Sequence, residues 1–379
     1  MDAPDIPQTL VVTNDFPPRV GGIQQYVYNL VRYLPPERLT VLAPRWDGWR
    51  AFDEAQPFRV VRFPATRVLP FADARSRVLS LARETGAEAA LLTSGVMSSG
   101  FGPCLFRAGI PHVVITHGVE YWAGRIPGTA QAMGRSMRYA ARVTVISRFI
   151  EREVRRAVPG SVPVDMCPPG VDVERFDPGV SGEEVRKRHG LSDKPVVVCV
   201  SRLVPRKGQD VLIEALPAIR ARASGAVLLV VGDGPYRDKL VSMARQASAG
   251  SVVFAGAVSD EELPQYHAAA DVFAMPCRSR WGGLEVEGFG IVYMEAAACG
   301  RAAVAGRSGG AGEAVEDEVT GLVVDGRNVD VVASAVGGLL SNPAGASAFG
   351  VAGRARAVAE FSWPSIASRV AGWLREAAS

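Results

Sequence analysis

Val196-Val-Val-Cys-Val-Ser-Arg-Leu-Val-Pro-Arg-Lys-Gly-Gln-Asp210 runs from an uninterrupted apolar segment, through a cationic turn, into an apolar-periodic helix that begins near Val211. A continuous β-branched run reads as a strand covered on both faces, and the turn at the carboxyl end of such a strand is where open α/β sheets bind ligands. Lysine occurs only at Lys187, Lys194, Lys207 and Lys239 among 42 basic residues, which makes Lys207 conspicuous. A compact ammonium beside the planar fork of Arg202 can grip phosphate oxygens from two directions. Further on stands Gly282-Gly-Leu-Glu285-Val-Glu287-Gly-Phe-Gly290-Ile-Val-Tyr-Met-Glu295, a glycine-bracketed loop that enters a helix near Ile291. Carboxylates accept hydroxyl hydrogens well, so Glu287 on the loop suits hexose hydroxyls and Glu295, two turns into the helix, suits a ribose diol.

Short β-rich runs alternate with helix-periodic segments on both sides of this stretch. In the first half, Leu10–Thr13, Leu39–Leu42, Ala89–Thr93, His112–Thr116 and Val143–Ile146 read as strands, with a helix from Ile23 to Leu34 stopped by Pro35-Pro36. In the second half the strands are Val196–Val200, Val227–Val231, Val252–Phe254, Val272–Met275 and Ala302–Ala305, and the last helices span about 346–361 and 364–378. The pattern predicts two doubly wound parallel-sheet Rossmann-like domains facing a central cleft. The expected boundaries are 1–173 for the first domain, 174–360 for the second, and 361–379 for a C-terminal helix.

Composition narrows the function classes. A chain of 379 residues with 48% apolar content has room for two cores, and its net charge of +3 comes from interspersed charges, which argues against nucleic acid as a partner. Five scattered cysteines with no C-x-x-C pair read as thiols in a reducing cytoplasm. Neither an apolar leader nor a run long enough to span a bilayer is evident, so the expected location is cytoplasmic, with peripheral contact at the inner face of the plasma membrane. Arg135–Arg142 with Arg148–Arg156 is the best basic patch for such contact, and an ordinary solvated helix pair is its bland reading.

Asn14-Asp-Phe-Pro-Pro-Arg-Val-Gly21-Gly22-Ile-Gln24 joins the first strand to the first helix, and its paired glycines would let an anion approach the helix N-terminus. No G-x-G-x-x-G or G-x-x-x-x-G-K-[ST] occurs, which excludes the fingerprints of dinucleotide dehydrogenases and P-loop enzymes. His117 follows a strand's carboxyl end and is the histidine whose setting points to function. With no D-x-D loop and no His/Cys cluster, neither a catalytic metal nor another cofactor is expected. Ser308-Gly-Gly-Ala-Gly-Glu313 reads as a cap and turn bordering the same cleft.

These motifs together resemble the GT-B retaining glycosyltransferases of family four over nearly the whole chain, and most of all the actinobacterial GDP-mannose-dependent phosphatidylinositol mannosyltransferases. The resemblance implies that Gly21, Gly22, Arg202 and Lys207 bind the donor diphosphate, Glu287 contacts the transferred sugar, Glu295 binds ribose, and His117 lies beside the anomeric centre. It further implies donor contacts from Gly232, Val258, Gly288, Phe289, Gly290, Ile291 and Val292, an acceptor side at Gln24, Glu120 and Tyr121, and a last helix that crosses back to the first domain. Val119 stands where the phosphatidylinositol enzymes carry a second histidine, the stretch 120–124 differs, and Gly312 replaces a usual proline. The expected partners are therefore a nucleotide-sugar donor, GDP-mannose or a UDP-sugar, and a lipid or small-molecule acceptor. The alternatives are a UDP-sugar enzyme acting on a soluble acceptor such as an aminocyclitol, a sugar-nucleotide epimerase, and a catalytically silent sensor.

Overall fold

The structure is a computed structural model that describes residues 5–95, 98–118, 120–123, 125–126, 128–247 and 250–379; Val119 and Gly124 lie outside these. The chain divides into two compact units, 1–170 with 363–379, and 171–362.

Unit 1 is built on the strands β1 (Thr9–Val12), β2 (Leu39–Pro44), β3 (Arg59–Phe63), β4 (Ala89–Leu92), β5 (His112–Ile115), β6 (Arg142–Val145) and β7 (Val164–Met166). They form one seven-stranded sheet in the order β3-β2-β1-β4-β5-β6-β7, with every pairing parallel. β1, β2, β4 and β5 are buried along their whole length, as strands covered on both faces must be. One covering layer is the helix Gly22–Arg32; beside it lies the C-terminal helix Trp363–Ala378, which packs on β4 and β5. Its Trp363, Ile366, Val370 and Leu374 share a core with Tyr26, Leu30, Leu91 and Val113. At Gly170 a Cβ would crowd the Trp363 indole, so glycine lets the end of the first segment pass beneath it.

Unit 2 repeats the plan with β8 (Val196–Val200), β9 (Val227–Val231), β10 (Val252–Gly256), β11 (Val272–Met275), β12 (Ala302–Gly306) and β13 (Gly321–Val324). The six-stranded order is β10-β9-β8-β11-β12-β13, again parallel throughout. In each sheet the strand order reverses beside the first strand, next to β1 in one unit and β8 in the other, and the crevice at the carboxyl ends there is the ligand position of doubly wound sheets. All five cysteines are free thiols.

The expected strands are present, and β3, β7 and β13 are additions. Each of the three lies at a sheet edge. β3 is interrupted by Arg59 and Arg62, β7 is three residues with an aspartate inside, and β13 opens on glycine, so none carries the continuous apolar run of a central strand.

Candidate active site

In unit 2 the chain leaves β8 at Ser201 and makes a single 3-10 turn, Pro205–Lys207, before the helix Gln209–Arg222. Gly208 sits between them with φ +82°, and a Cβ there would collide with the carbonyl of Pro276, so the turn requires glycine. This geometry aims two adjacent cations at one carboxylate. Lys207 Nζ lies 2.7 Å from Glu287 Oε2, and Arg206 pairs with the same oxygen. Arg206 also approaches Glu285 at 3.8 Å, and Glu285 in turn meets Arg280 at 3.1 Å.

Glu287 is buried, and its backbone is pinned from the turn after β12. Its N–H donates to Ser308 Oγ at 3.3 Å, and its carbonyl accepts the Gly310 N–H at 2.9 Å. Gly309 packs against that carbonyl with φ +55°, too close for any Cβ. The segment 308–313 thus braces Glu287. Burial pushes the Glu287 carboxyl up, but the charges of Lys207 and Arg206 outweigh it and hold the group below the usual carboxylate range. It remains an anion ready to accept hydroxyl hydrogens.

Gly290, φ +88°, turns the loop into the helix Ile291–Ala298, which has no side-chain cap at its N-terminus. One turn in, Glu295 Oε2 lies 3.2 Å from Nε2 of the fully buried His267, whose ring packs between Phe176 and Phe273. Gly232, φ +122°, brings the loop after β9 against the Ser201 carbonyl. Val258, Gly288 and Val292 are half-buried, Phe289 is buried against Phe361, and Ile291 is exposed. Arg202 is exposed and has no ion-pair partner among the described residues; the cation that shares Glu287 with Lys207 is Arg206.

In unit 1 the helix that starts at Gly22 has no side chain capping its N-terminus, and a Cβ at Gly22 would meet nothing within 4 Å. Free N–H groups and open space together make an anion-receptive end. Gln24 is buried and donates to Asp15 Oδ1 at 2.6 Å. His117 Nε2 lies 3.1 Å from the Thr93 carbonyl and its ring stands edge-on to Tyr26 at 4.8 Å. Burial pulls its pKa down to about 4, against the bond to Thr93, so at neutral pH the proton resides on Nε2 and Nδ1 is left as an acceptor.

Glu120 is almost fully buried and accepts the backbone N–H of Gly95, His117 and Gly118 at 2.8, 3.0 and 2.9 Å. Oε2 holds the His117 loop, and Oε1 ties it to Gly95 in the loop after β4. Tyr121 is buried against Phe149. Sequence reasoning placed both on the acceptor side; the structure gives Glu120 a loop-positioning role and Tyr121 a packed setting. It also adds Arg206 and His267, which sequence reasoning did not assign, and gives Ser308, read from sequence as part of a turn bordering the cleft, a direct hold on Glu287. The neighbour of Lys207 in a Pro-Arg-Lys turn was the available signal for Arg206; His267 carried none.

Two family models cover the chain in succession, Glycosyltransferase Family 4 over residues 20–175 and Glycosyl transferases group 1 over residues 181–356. A GDP-mannose-dependent alpha-(1-6)-phosphatidylinositol monomannoside mannosyltransferase of Mycolicibacterium smegmatis is 47% identical over 96% of this chain and 97% of its own length. A monoacylated-substrate counterpart of Corynebacterium glutamicum is 38% identical over 97% of this chain and 98% of its own. Among solved structures, Anabaena HepE with UDP superposes with a TM-score of 0.82 over 97% of this chain and all of its own, at 21% identity, a likeness of fold. Two parallel-sheet units, the matching models and near-full-length identity lead to one conclusion: the chain belongs to the GT-B glycosyltransferases of family four.

Proposed function

We propose that this glycosyltransferase moves mannose from GDP-mannose to a phosphatidylinositol-mannoside lipid, with retention of anomeric configuration. The observation that carries the reading is the 47% identity, sustained across 96% of the chain, to an enzyme named for that donor and acceptor. The chemistry of unit 2 is consistent with it. Lys207 and Arg206, gathered on Glu287, offer a cationic surface to a leaving diphosphate, with Arg202 exposed in the same loop. As the bond from the anomeric carbon to phosphate oxygen breaks, the charge that develops on the diphosphate meets fixed cations. The acceptor oxygen bonds to the same carbon from the same face, and its proton passes to the departing phosphate oxygen, so no protein nucleophile is needed. Glu287 accepts sugar hydroxyl hydrogens, Glu295 those of ribose, and neutral His117 offers Nδ1 as an acceptor.

Among the described residues no helix is long and apolar enough to cross a membrane. A lipid acceptor therefore calls for peripheral contact at the cytoplasmic face. The test is transfer of radiolabel from GDP-mannose into organic-extractable product in the presence of phosphatidylinositol-mannoside membranes. Label entering lipid is the expected result; label moving only from a UDP-sugar into a soluble aminocyclitol, or a UDP-sugar interconverted without acceptor, would retire the lipid reading.

A further inference from the structure

Three loops meet at the carboxyl edge of the unit 1 sheet because the order β3-β2-β1 sets their strands side by side. They contribute Arg19 after β1, Arg45 to Arg50 after β2, and Thr66 after β3. Between the last two opens a concavity of about 660 Å3 lined by Arg45, Trp46, Trp49, Arg50 and Thr66. Arg19 stacks over Trp46 at 4.7 Å, while Arg45 and Arg50 both stack over Trp49 at 5.5 and 4.9 Å. All three arginines are exposed, and none has a carboxylate within ion-pair distance among the described residues. The one acid in the lining is Asp47. The indole Nε1–H of Trp46 is shut off from solvent and has no acceptor among the described residues.

The frame under this surface is fixed. Buried Arg62 donates to the carbonyls of Pro17 and Pro44 at 2.7 and 2.9 Å and pairs with Asp53 at 2.6 Å, which ties the loops after β1 and β2 to the helix Trp49–Glu54. Asn14 clamps Val68 through two hydrogen bonds, 2.9 and 2.7 Å. Val20, 85% exposed, stands beside Arg19. By contrast, the basic patch expected from sequence is partly neutralised: Arg142 pairs with Asp165 and Glu376, Arg155 with Glu151, and Arg156 with Glu153.

From the unpaired guanidiniums, the amphipathic indoles and the exposed valine, we infer that this Arg-Trp surface docks the protein on a bilayer by seating the phosphodiester headgroups of anionic phospholipid. Charge complementarity selects the occupant: guanidiniums held in place by indole faces and without an ion-pair partner among the described residues fit phosphate oxygens, while tryptophan favours the headgroup level of a membrane. Each arginine near an anionic surface contributes about 1 kcal/mol, so two of them account for roughly a thirtyfold change in partitioning. The inference deepens the lipid-acceptor reading and rests on it for its biological sense, yet it can be tested apart from it.

The experiment is sedimentation of the full chain with phosphatidylcholine vesicles, with and without phosphatidylinositol. Wild type is expected to sediment only with the anionic vesicles. Arg45→Gln/Arg50→Gln should weaken that binding by at least tenfold, and Trp49→Ala should weaken it as well. A control of equal charge, Arg135→Gln/Arg138→Gln, should bind as wild type, and GDP-mannose hydrolysis in the absence of vesicles should be unchanged in every variant whose thermal melt matches wild type. Undiminished vesicle binding by the Arg45/Arg50 variant, or equal loss in the control, overturns the docking site. If wild type docks as described but moves no mannose to lipid, the functional reading falls and the docking surface stands.

Discussion

Lys207 and Arg206 share one oxygen of Glu287, so the removal of either leaves the carboxylate with a partner while the leaving diphosphate loses a charge. Lys207→Ala is expected to cut kcat about a hundredfold, with less effect on KM, and Arg206→Gln about tenfold; steady-state transfer assays check both. Near-wild-type turnover in Lys207→Ala would sink the assignment. Histidine ionisation gives a second prediction. His112 and His117 are each held by burial down to about 4, from an ordinary 6.5. Between those values the unfolded chain binds more protons than the native one, so this contribution to stability is complete above 6.5 and is lost as pH falls towards 4. Glu120, pushed up by burial, contributes in the opposite sense. Urea midpoints measured across the range should fall with acid, and His112→Phe should flatten the slope; an unchanged slope would contradict the buried neutral state. Lys207 and Glu287 were legible in sequence because a rare lysine and a glycine-framed carboxylate stand out in composition. Arg206 went unassigned, since only the 3-10 turn brings it to Glu287, and turn geometry is not written in residue type.

The turn itself is the element on which the cationic cluster depends. Gly208→Ala forces a left-handed residue to carry a Cβ and drives that Cβ into the Pro276 carbonyl. The first penalty is about 1–2 kcal/mol and the overlap about 1–3 more, so a lowered melting temperature is expected, together with lost turnover as Lys207 swings from Glu287. A variant that melts as wild type would show that the turn relaxes freely. Among the strands, sequence reading located those with unbroken apolar runs and passed over β3, β7 and β13. An edge strand is paired on one side only and tolerates Arg59, Asp165 or Gly321, so its pattern merges with that of loops. The helix Val329–Ser341, which lies on the helix Gln209–Arg222, was likewise passed over. Its start is nevertheless signalled by Asn328, whose side chain accepts the N–H groups of Asp330 and Val331 at 3.1 Å each.

At the scale of the whole molecule, unit 1 is discontinuous, and its sheet is covered in part by the last seventeen residues of the chain, 363–379. Trp363, Ile366, Val370 and Leu374 are each at most 2% exposed. Their loss would forfeit on the order of 8 kcal/mol of burial, comparable to the stability of an entire domain. A chain ending at Ser362 is therefore expected to leave unit 1 open to limited proteolysis while a fragment covering 171–362 survives; equal resistance of the two would refute the dependence. The two-sheet plan was readable in advance because the apolar runs repeat in both halves. That Trp363 opens a helix belonging to the first sheet came from family resemblance, since amphipathicity says that a helix packs but not on what.

Unit 2 is an uninterrupted insert, and its two ends lie together: the Val171 N–H donates to the Phe361 carbonyl at 2.7 Å, and Val171 bridges Ser362. The order of synthesis follows from this. The ribosome delivers every part of unit 2 while unit 1 still lacks its final helix, and at ordinary elongation rates roughly ten to forty seconds separate Gly170 from Ser379. For that interval the nascent first sheet presents Leu91, Val113 and Ile115 uncovered, a surface that chaperones bind. The earlier-made half of this protein is thus the later one to mature.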